Sequence, residues 1–265
     1  MSAQRILFVN QEITPYSEVS HMSIIGRYLP QSILEKGLDI RTFMPRYGMI
    51  NERRNQLHDV IRLSGQNIVI NKGDHVLLVK VASIQSIRMQ TYFIDNEEYF
   101  RRRTLLEDTK TGKVYNDNDE RAIFYARGVI ETVKNLGWSP DIIHCHGWLS
   151  CLVPLFIKKI HVDNPLFANS KVIYSVYNDP FDKTYRSFVK KLKSCGIPTK
   201  DAQLYRKATF ESTTKLAVDY ADAVVISQKD VDKDTRSYIE NLQKPHFEHK
   251  EEQYAEDYLK LYNSI

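Results

Sequence analysis

The sequence predicts an α/β domain with one doubly wound parallel sheet. Three observations lead there. Five short β-rich runs, Arg5–Val9, Asp39–Met44, Asp141–Cys145, Lys171–Val176 and Ala223–Ser227, alternate with helical stretches. The stretch Pro140 to Ile157 reads as a buried strand, a Gly147 turn and a helix, the half-unit of a parallel sheet. The run Arg5–Val9, then a helix, then Asp39–Met44 forms a β-α-β unit, for which a right-handed crossover is expected. A chain of 265 residues, 42% hydrophobic and 26% charged, can build one such domain or two small ones.

In chain order, Arg5–Val9 is too short and too β-rich for a helix. Thr14-Pro15 leads into a helix from about Val19 to Lys36, punctuated by Gly37. After Asp39–Met44, four β-rich runs (Val60–Leu63, Asn67–Ile70, Val76–Ala82 and Met89–Ile94) read as a hairpin insertion. Glu97–Arg103 is a short charged helix. Asp119 is placed to cap a helix from Glu120 to Leu136, whose Ile123, Ala126, Ile130 and Val133 share one face. Trp148 to Lys159 and Gln203 to Tyr220 read as helices, and another helix follows Gln228. Lys244-Pro245-His246 breaks the chain before an amphipathic helix from Glu251 to Tyr262, with Tyr254, Tyr258 and Leu261 on one stripe. The organisation expected is a main domain over residues 1–245 and a crossover-like helical tail, 246–265, packed on it.

Composition excludes some classes. With 37 basic and 33 acidic residues, net charge +4, nucleic acid is not an expected partner. No run approaches the roughly 18 apolar residues of a membrane span. Three cysteines fit a reducing compartment, so a soluble cytoplasmic protein is expected. No G-x-G-x-x-G or Walker A loop is present, and no His/Cys set has metal spacing. His144 and His146, alternating on a strand, are taken to point to opposite faces. Ligands of parallel sheets bind at the carboxyl ends of the strands, where His144, His146 and Trp148 stand. Pattern alone stops at a ligand site of unknown chemistry, with no cofactor indicated.

Longer motifs go further. RILFVNQEITPY and GRYLPQSILEKGLDIRTFMPRYG resemble the opening of bacterial glycogen synthases and plant starch synthases. YNDNDERAIFYARGVIETVKNLGWSPDIIHCHGW, KVIYSVYN and LAVDYADAVVISQ resemble their later segments, in the same order. The resemblance is to glycosyltransferase family 5 and covers about Arg5 to Val231. It implies one Rossmann-like half of a GT-B fold, related to glucose transfer from ADP-glucose or UDP-glucose to an α-1,4-glucan. It implies substrate-binding roles for Tyr115, Asp117, Asn118, Arg121, His144, His146 and Asn178, while Trp148 is expected to pack. YAEDYLKLYNSI resembles the family's closing helix, so the expectation is a family chain lacking the second domain.

The departures from the family are specific. Its Lys-Thr-Gly-Gly-Leu phosphate loop falls on Glu18-Val19-Ser20-His21-Met22. Glu18 would repel a diphosphate by about 1 to 4 kcal/mol per unit-charge pair. The Asp of the family's HCHDW becomes Gly147, and the His of its His-Asn pair becomes Tyr177. With this degenerate loop of Glu18, Ser20 and His21, and no catalytic residue assigned, a weak or inactive transferase is expected. Alternatives are a non-catalytic glucan-binding or regulatory module, a pseudoenzyme acting with a complete glycogen synthase, or a half-enzyme paired with another chain or with itself.

Overall fold

A computed structural model describes residues 4–251 and 254–265. In chain order its elements begin with β1 (Arg5–Asn10), α1 (His21–Glu35) and β2 (Asp39–Pro45). The hairpin region supplies β3 (His58–Asp59), β4 (Gln66–Ile70), β5 (Gly73–Ile84) and β6 (Met89–Asp95). Then come α2 (Glu97–Phe100), β7 (Glu107–Asp108), β8 (Lys113–Val114), α3 (Asn118–Leu136), β9 (Ile142–His146), α4 (Val153–Lys159) and β10 (Lys171–Val176). The chain continues through α5 (Phe188–Ser194), α6 (Thr199–Ala202), α7 (Phe210–Tyr220), β11 (Ala223–Ile226) and α8 (Lys233–Asn241), and ends with β12 (His246–Glu248) and α9 (Tyr254–Ser264).

The main sheet runs β12-β11-β10-β9-β1-β2-β6-β5-β3, with β4 paired to β5. From β12 to β6 every neighbour is parallel, and the five strands expected from sequence all lie in it. Their apolar runs are buried throughout, as strands covered on both faces require. Helix α1 packs beside α9, while α3, α4, α7 and α8 pack in series, which is the two-sided covering of a doubly wound sheet.

Several expectations need correction. Met89–Asp95 is not only a hairpin strand. It pairs in parallel with β2 as well as antiparallel with β5, so the insertion is stitched into the main sheet. Val60–Leu63 is a 3-10 turn rather than a strand, because Leu63 N donates to Val60 O and only Leu63 is buried. Asp119 does not cap α3. The helix starts at Asn118, and Asp119 lies inside, paired with Lys191 at 2.7 Å. Trp148–Ser150 and Gln203–Tyr205 are 3-10 turns ahead of shorter helices, α4 and α7. After the break at Lys244-Pro245-His246 the chain adds β12, parallel to β11, before α9 begins. Lys244 explains the sharp turn there: its Nζ donates to Val218 O, Asp219 O and Ala221 O, capping the end of α7. The expected helix start at Glu251 runs into residues 252 and 253, outside the described set.

Candidate functional site

The carboxyl ends of β1, β9 and β10 meet at one edge of the domain. Strand β9 ends on His144 and His146, which are two residues apart and therefore share a face. The opposite-face expectation was wrong on strand geometry alone, and the two rings lie 4.0 Å apart. Both side chains are wholly buried. His144 bonds Tyr262 OH through Nδ1 at 2.7 Å and Ser175 Oγ through Nε2 at 2.9 Å. A neutral imidazole has one N–H, so one hydroxyl accepts from the ring and the other donates to it. Burial drives the His144 pKa well below the usual histidine range, with His146 adding to the effect. His146 bonds Tyr177 OH at 2.9 Å through Nδ1, and its Nε2 has no partner. Burial, then His249, takes its pKa down to about 3.

These histidines are roofed over by the end of the chain. Tyr258, Leu261 and Tyr262 of α9 are buried, with the Tyr258 ring tilted against that of His144 at 5.5 Å and joined to His249 Nδ1 through its hydroxyl. The expected stripe therefore packs as its spacing predicts at Tyr258 and Leu261; the Tyr254 side chain lies outside the described set. Trp148 is buried too, its indole N–H donating to Thr213 Oγ1 at 2.6 Å, in line with the packing role expected for it.

The loop before α1 is closed by its own side chains. Ser20 caps α1, accepting from Ser23 N and donating to Glu12 Oε2 at 2.6 Å. His21 reaches across to β11, with Nε2 on Ser227 O at 2.7 Å, and its ring lies 5.6 Å from that of His249 and 6.3 Å from that of Tyr177. Glu18 is exposed and Val19 points to solvent. Gly147, at φ +82°, has no room for a side chain. A Cβ there would stand 2.6 Å from Met22 Sδ and 2.9 Å from Gln11 Cβ. An aspartate at 147 would therefore need Met22 to move aside and would be strained by the left-handed backbone, which couples the two departures.

Two carboxylates face this loop, and neither was singled out from sequence. Gln11 Nε2 donates to Glu12 Oε1 at 3.4 Å and to Asp179 Oδ2 at 3.3 Å, so one amide spans both. Asp179 keeps some surface at solvent, yet the protein packed around its carboxylate raises its pKa to about 7, with Glu12 contributing repulsion. Glu12 is raised for the same first reason. The signal that would have found them is position: each stands within a few residues of the carboxyl end of a parallel strand. Asn178 is exposed beside them, its amide donating to Asp230 Oδ2.

The other retained residues form a separate cluster at the start of α3. Arg102 grips Asp117 with two bonds of 2.6 and 2.5 Å, which holds that carboxylate below its usual range against the effect of burial. Asn118 Nδ2 donates to Leu106 O. Arg121 is wholly buried, donating from Nη1 to Leu105 O and to Asn118 Oδ1, with its guanidinium over the rings of Phe100 and Tyr115. Tyr115 OH bonds Thr104 Oγ1 at 2.6 Å. Tyr115, Asp117, Asn118 and Arg121 thus tie down the 101–118 loop, and the structure does not bring them into contact with His144 or His146. Among the described residues no group of three or more His, Cys, Asp or Glu is placed to hold a metal ion, and none of the helices is long and apolar enough to cross a membrane.

Fold and strand-end site together define a Rossmann-like α/β domain of the GT-B kind. The family model described as the starch synthase catalytic domain matches residues 5–255, and the chain belongs to that family. It is 40% identical over 174 residues to the glycogen synthase of Chlorobium limicola, covering 66% of this chain and 36% of the relative. It is 35% identical over 221 residues to that of Chlorobium phaeovibrioides, covering 82% of this chain and 44% of the relative. The chain thus spans less than half the length of the curated relatives it matches here. The catalytic domain of starch synthase IV from Arabidopsis thaliana, solved with ADP and acarbose, superposes with a TM-score of 0.75 at 17% identity, over 93% of this chain and 51% of that one, a likeness of fold.

Proposed function

We propose that this chain is a glucan-binding member of the glycogen and starch synthase family that does not by itself transfer glucose from ADP-glucose or UDP-glucose. The observation that carries this is the filled loop before α1. His21 is pinned to Ser227 O, Met22 occupies the space beside Gly147, and Glu12 and Asp179 set two carboxylates at the strand ends. A diphosphate is held by cations or free backbone N–H groups, whereas here Ser20 Oγ already takes the Ser23 N–H and the charged side chains nearby are the carboxylates of Glu12, Glu18 and Asp179. Glucan needs neither. The solved starch synthase relative held ADP and acarbose, and here an open cleft of about 470 Å³ is lined by Glu107, Lys113, Asn116, Phe181, Asp182 and Lys183, an aromatic among polar groups. A cytoplasmic setting goes with this reading.

The test is incorporation of labelled glucose into glycogen with each donor, alongside calorimetric titration with ADP-glucose, UDP-glucose and maltoheptaose. Expected are saturable heat with maltoheptaose, weak or no heat with the donors and no incorporation. Turnover with either donor would overturn the reading.

A second reading is a pseudoenzyme that regulates a complete glycogen synthase or associates with its own copies. It is favoured by the outward face of α1, where Ile24 and Tyr28 lie one turn apart, with Val19, 77% exposed, just before the helix. Co-elution with a glycogen synthase, lost in Tyr28→Ser, is its expected mark.

A further inference from the structure

The main sheet ends at β12, and one side of that strand is unpaired among the described residues. Strand β12 runs parallel to β11. Pro245 O accepts from Val224 N, and His249 N donates to Ile226 O. Successive residues of a strand turn their backbone groups to alternate sides, so Pro245, Phe247 and His249 serve β11. The N–H and C=O groups of His246 and Glu248 therefore point outward along the open edge. Both residues are exposed. An edge of this kind is a template for another strand.

The side chains alternate as well. Phe247 turns toward the roof, its ring 5.0 Å from that of Tyr258. His246 and Glu248 share the opposite face. Glu248 pairs there with Arg236 yet keeps 55% of its side chain exposed. His246 Nδ1 bonds Lys244 O at 2.9 Å, and its Nε2 remains for another partner. On the roof side an open groove of about 510 Å³ lies between β12 and α9. It is lined by the apolar Pro245, Phe247 and Leu261 and by the charged Lys250, Asp257 and Lys260.

We infer that this edge pairs with β12 of a second copy of the chain, antiparallel and centred on Phe247. In that register His246 stands opposite Glu248 of the copy, and Glu248 opposite its His246. Each pair sets outward backbone groups against outward ones, so each exchanges two N–H···O bonds. A slip of one residue would set outward groups against groups already bonded to β11. A slip of two would set Glu248 against Glu248 or His246 against His246. The one register that satisfies the backbone thus also sets the imidazole opposite the carboxylate. A two-fold interface has to be self-complementary, and this edge is. The axis is normal to the sheet, so both grooves fall on one face and flank the seam with charges of both signs. A three-residue strand and a groove of this size fit a weak, concentration-dependent dimer. None of these residues lines the cleft offered to glucan and none is on α1, so the seam stands apart from both earlier readings.

The experiment is sedimentation equilibrium of the full chain from about 5 to 500 µM. A reversible dimer is expected. His246→Glu sets a carboxylate against Glu248 twice in each dimer and should raise the dissociation constant about tenfold or more. Because His246 is exposed, the melting temperature of the dilute protein should stay the same. Glu248→Lys sets an ammonium against His246 and should weaken the dimer too. An equimolar mixture of the two variants regains both pairs, so a heterodimer tighter than either homodimer should form. A lost structural contact would not be rescued in this way. A monomer at every concentration, a dimer indifferent to His246→Glu, or a mixture that associates no better than its components would overturn the inference. A dimer lost in Tyr28→Ser but kept in His246→Glu would also overturn it, by assigning association to α1. Maltoheptaose binding, measured on His246→Glu beside the parent, reports the glucan reading separately.

Discussion

Two regions of this domain carry family residues, and they differ in what those residues do. At the start of α3 the residues are retained, and Tyr115, Asp117, Asn118 and Arg121 still hold a loop in shape. At the strand ends His144 and His146 stand among departures from the family the sequence resembles, and the departing residues Ser20, His21, Met22 and Tyr177 bond or pack inward. Retention of a motif is therefore no sign of a working site, since a packed scaffold conserves the same letters. Coordinated replacement is more telling. Gly147 and Met22 touch, so a side chain at 147 would require Met22 to move, while His21 needs only the backbone carbonyl of Ser227.

The largest effect should come from removing the roof. Truncation after Pro245 deletes β12 and α9, strips three buried side chains (Tyr258, Leu261 and Tyr262) from the sheet face and opens His144 to water. At roughly 1.5 to 3 kcal/mol for each large side chain, the loss approaches the whole stability of a domain. The truncated protein should melt far below the full chain or fail to stay soluble. An unchanged melting temperature by circular dichroism would break the claim that the strand ends are closed by packing.

A smaller effect distinguishes the histidine side of the closed region from its carboxylate side. His144 and His146 have depressed pKa values in the fold, so the unfolded chain takes up protons first as pH falls below about 6.5, and their contribution to stability is lost progressively below that, for His146 down to about pH 3. Asp179, raised to about 7, acts in the opposite sense, the folded state binding the proton first, and Glu12 acts with it. Each fully buried histidine removes about 1.4 kcal/mol per pH unit, so after the carboxylate offset a net loss of about 1 to 2 kcal/mol is expected from pH 6.5 to 5. Asp179→Asn should raise stability at pH 7.5 and steepen the acid loss, as urea titrations at each pH would read. A loss no steeper than in the parent would mean that Asp179 is not the opposing group.

The parallel sheet was legible because its strands are apolar on both faces and end at turns, a pattern that survives without tertiary information. The hairpin region was half legible. Met89–Ile94 reads as a strand, but its parallel pairing with β2 is set by a crossover that alternation cannot reveal. Short runs such as Val60–Leu63 failed because β-branched composition is outvoted by a local turn. At the site, the resemblance picked out residues but not their use. His144 and Arg121 are both candidates by position, yet burial and hydrogen bonds assign one to the roof and leave the other with unpartnered donors.

The smallest effect tests whether charge or packing closes the loop before α1. Glu18 is exposed, so exchanging its charge acts through water, where a unit pair at close range is worth only about 1 kcal/mol. Glu18→Lys alone exchanges repulsion for attraction, a change of about 2 kcal/mol, and should therefore raise ADP-glucose affinity by no more than about thirtyfold from a weak starting value. Adding Ser20→Gly and His21→Gly releases the bonds to Glu12 and to Ser227 O and should gain more than the charge does, at some loss of helix-cap stability. If Glu18→Lys by itself restores tight binding, the barrier was electrostatic, and the inward packing of His21 and Met22 is incidental. If the triple change gains nothing over the single one, the Glu12 and Asp179 carboxylates, still spanned by Gln11, are what keep the anion out.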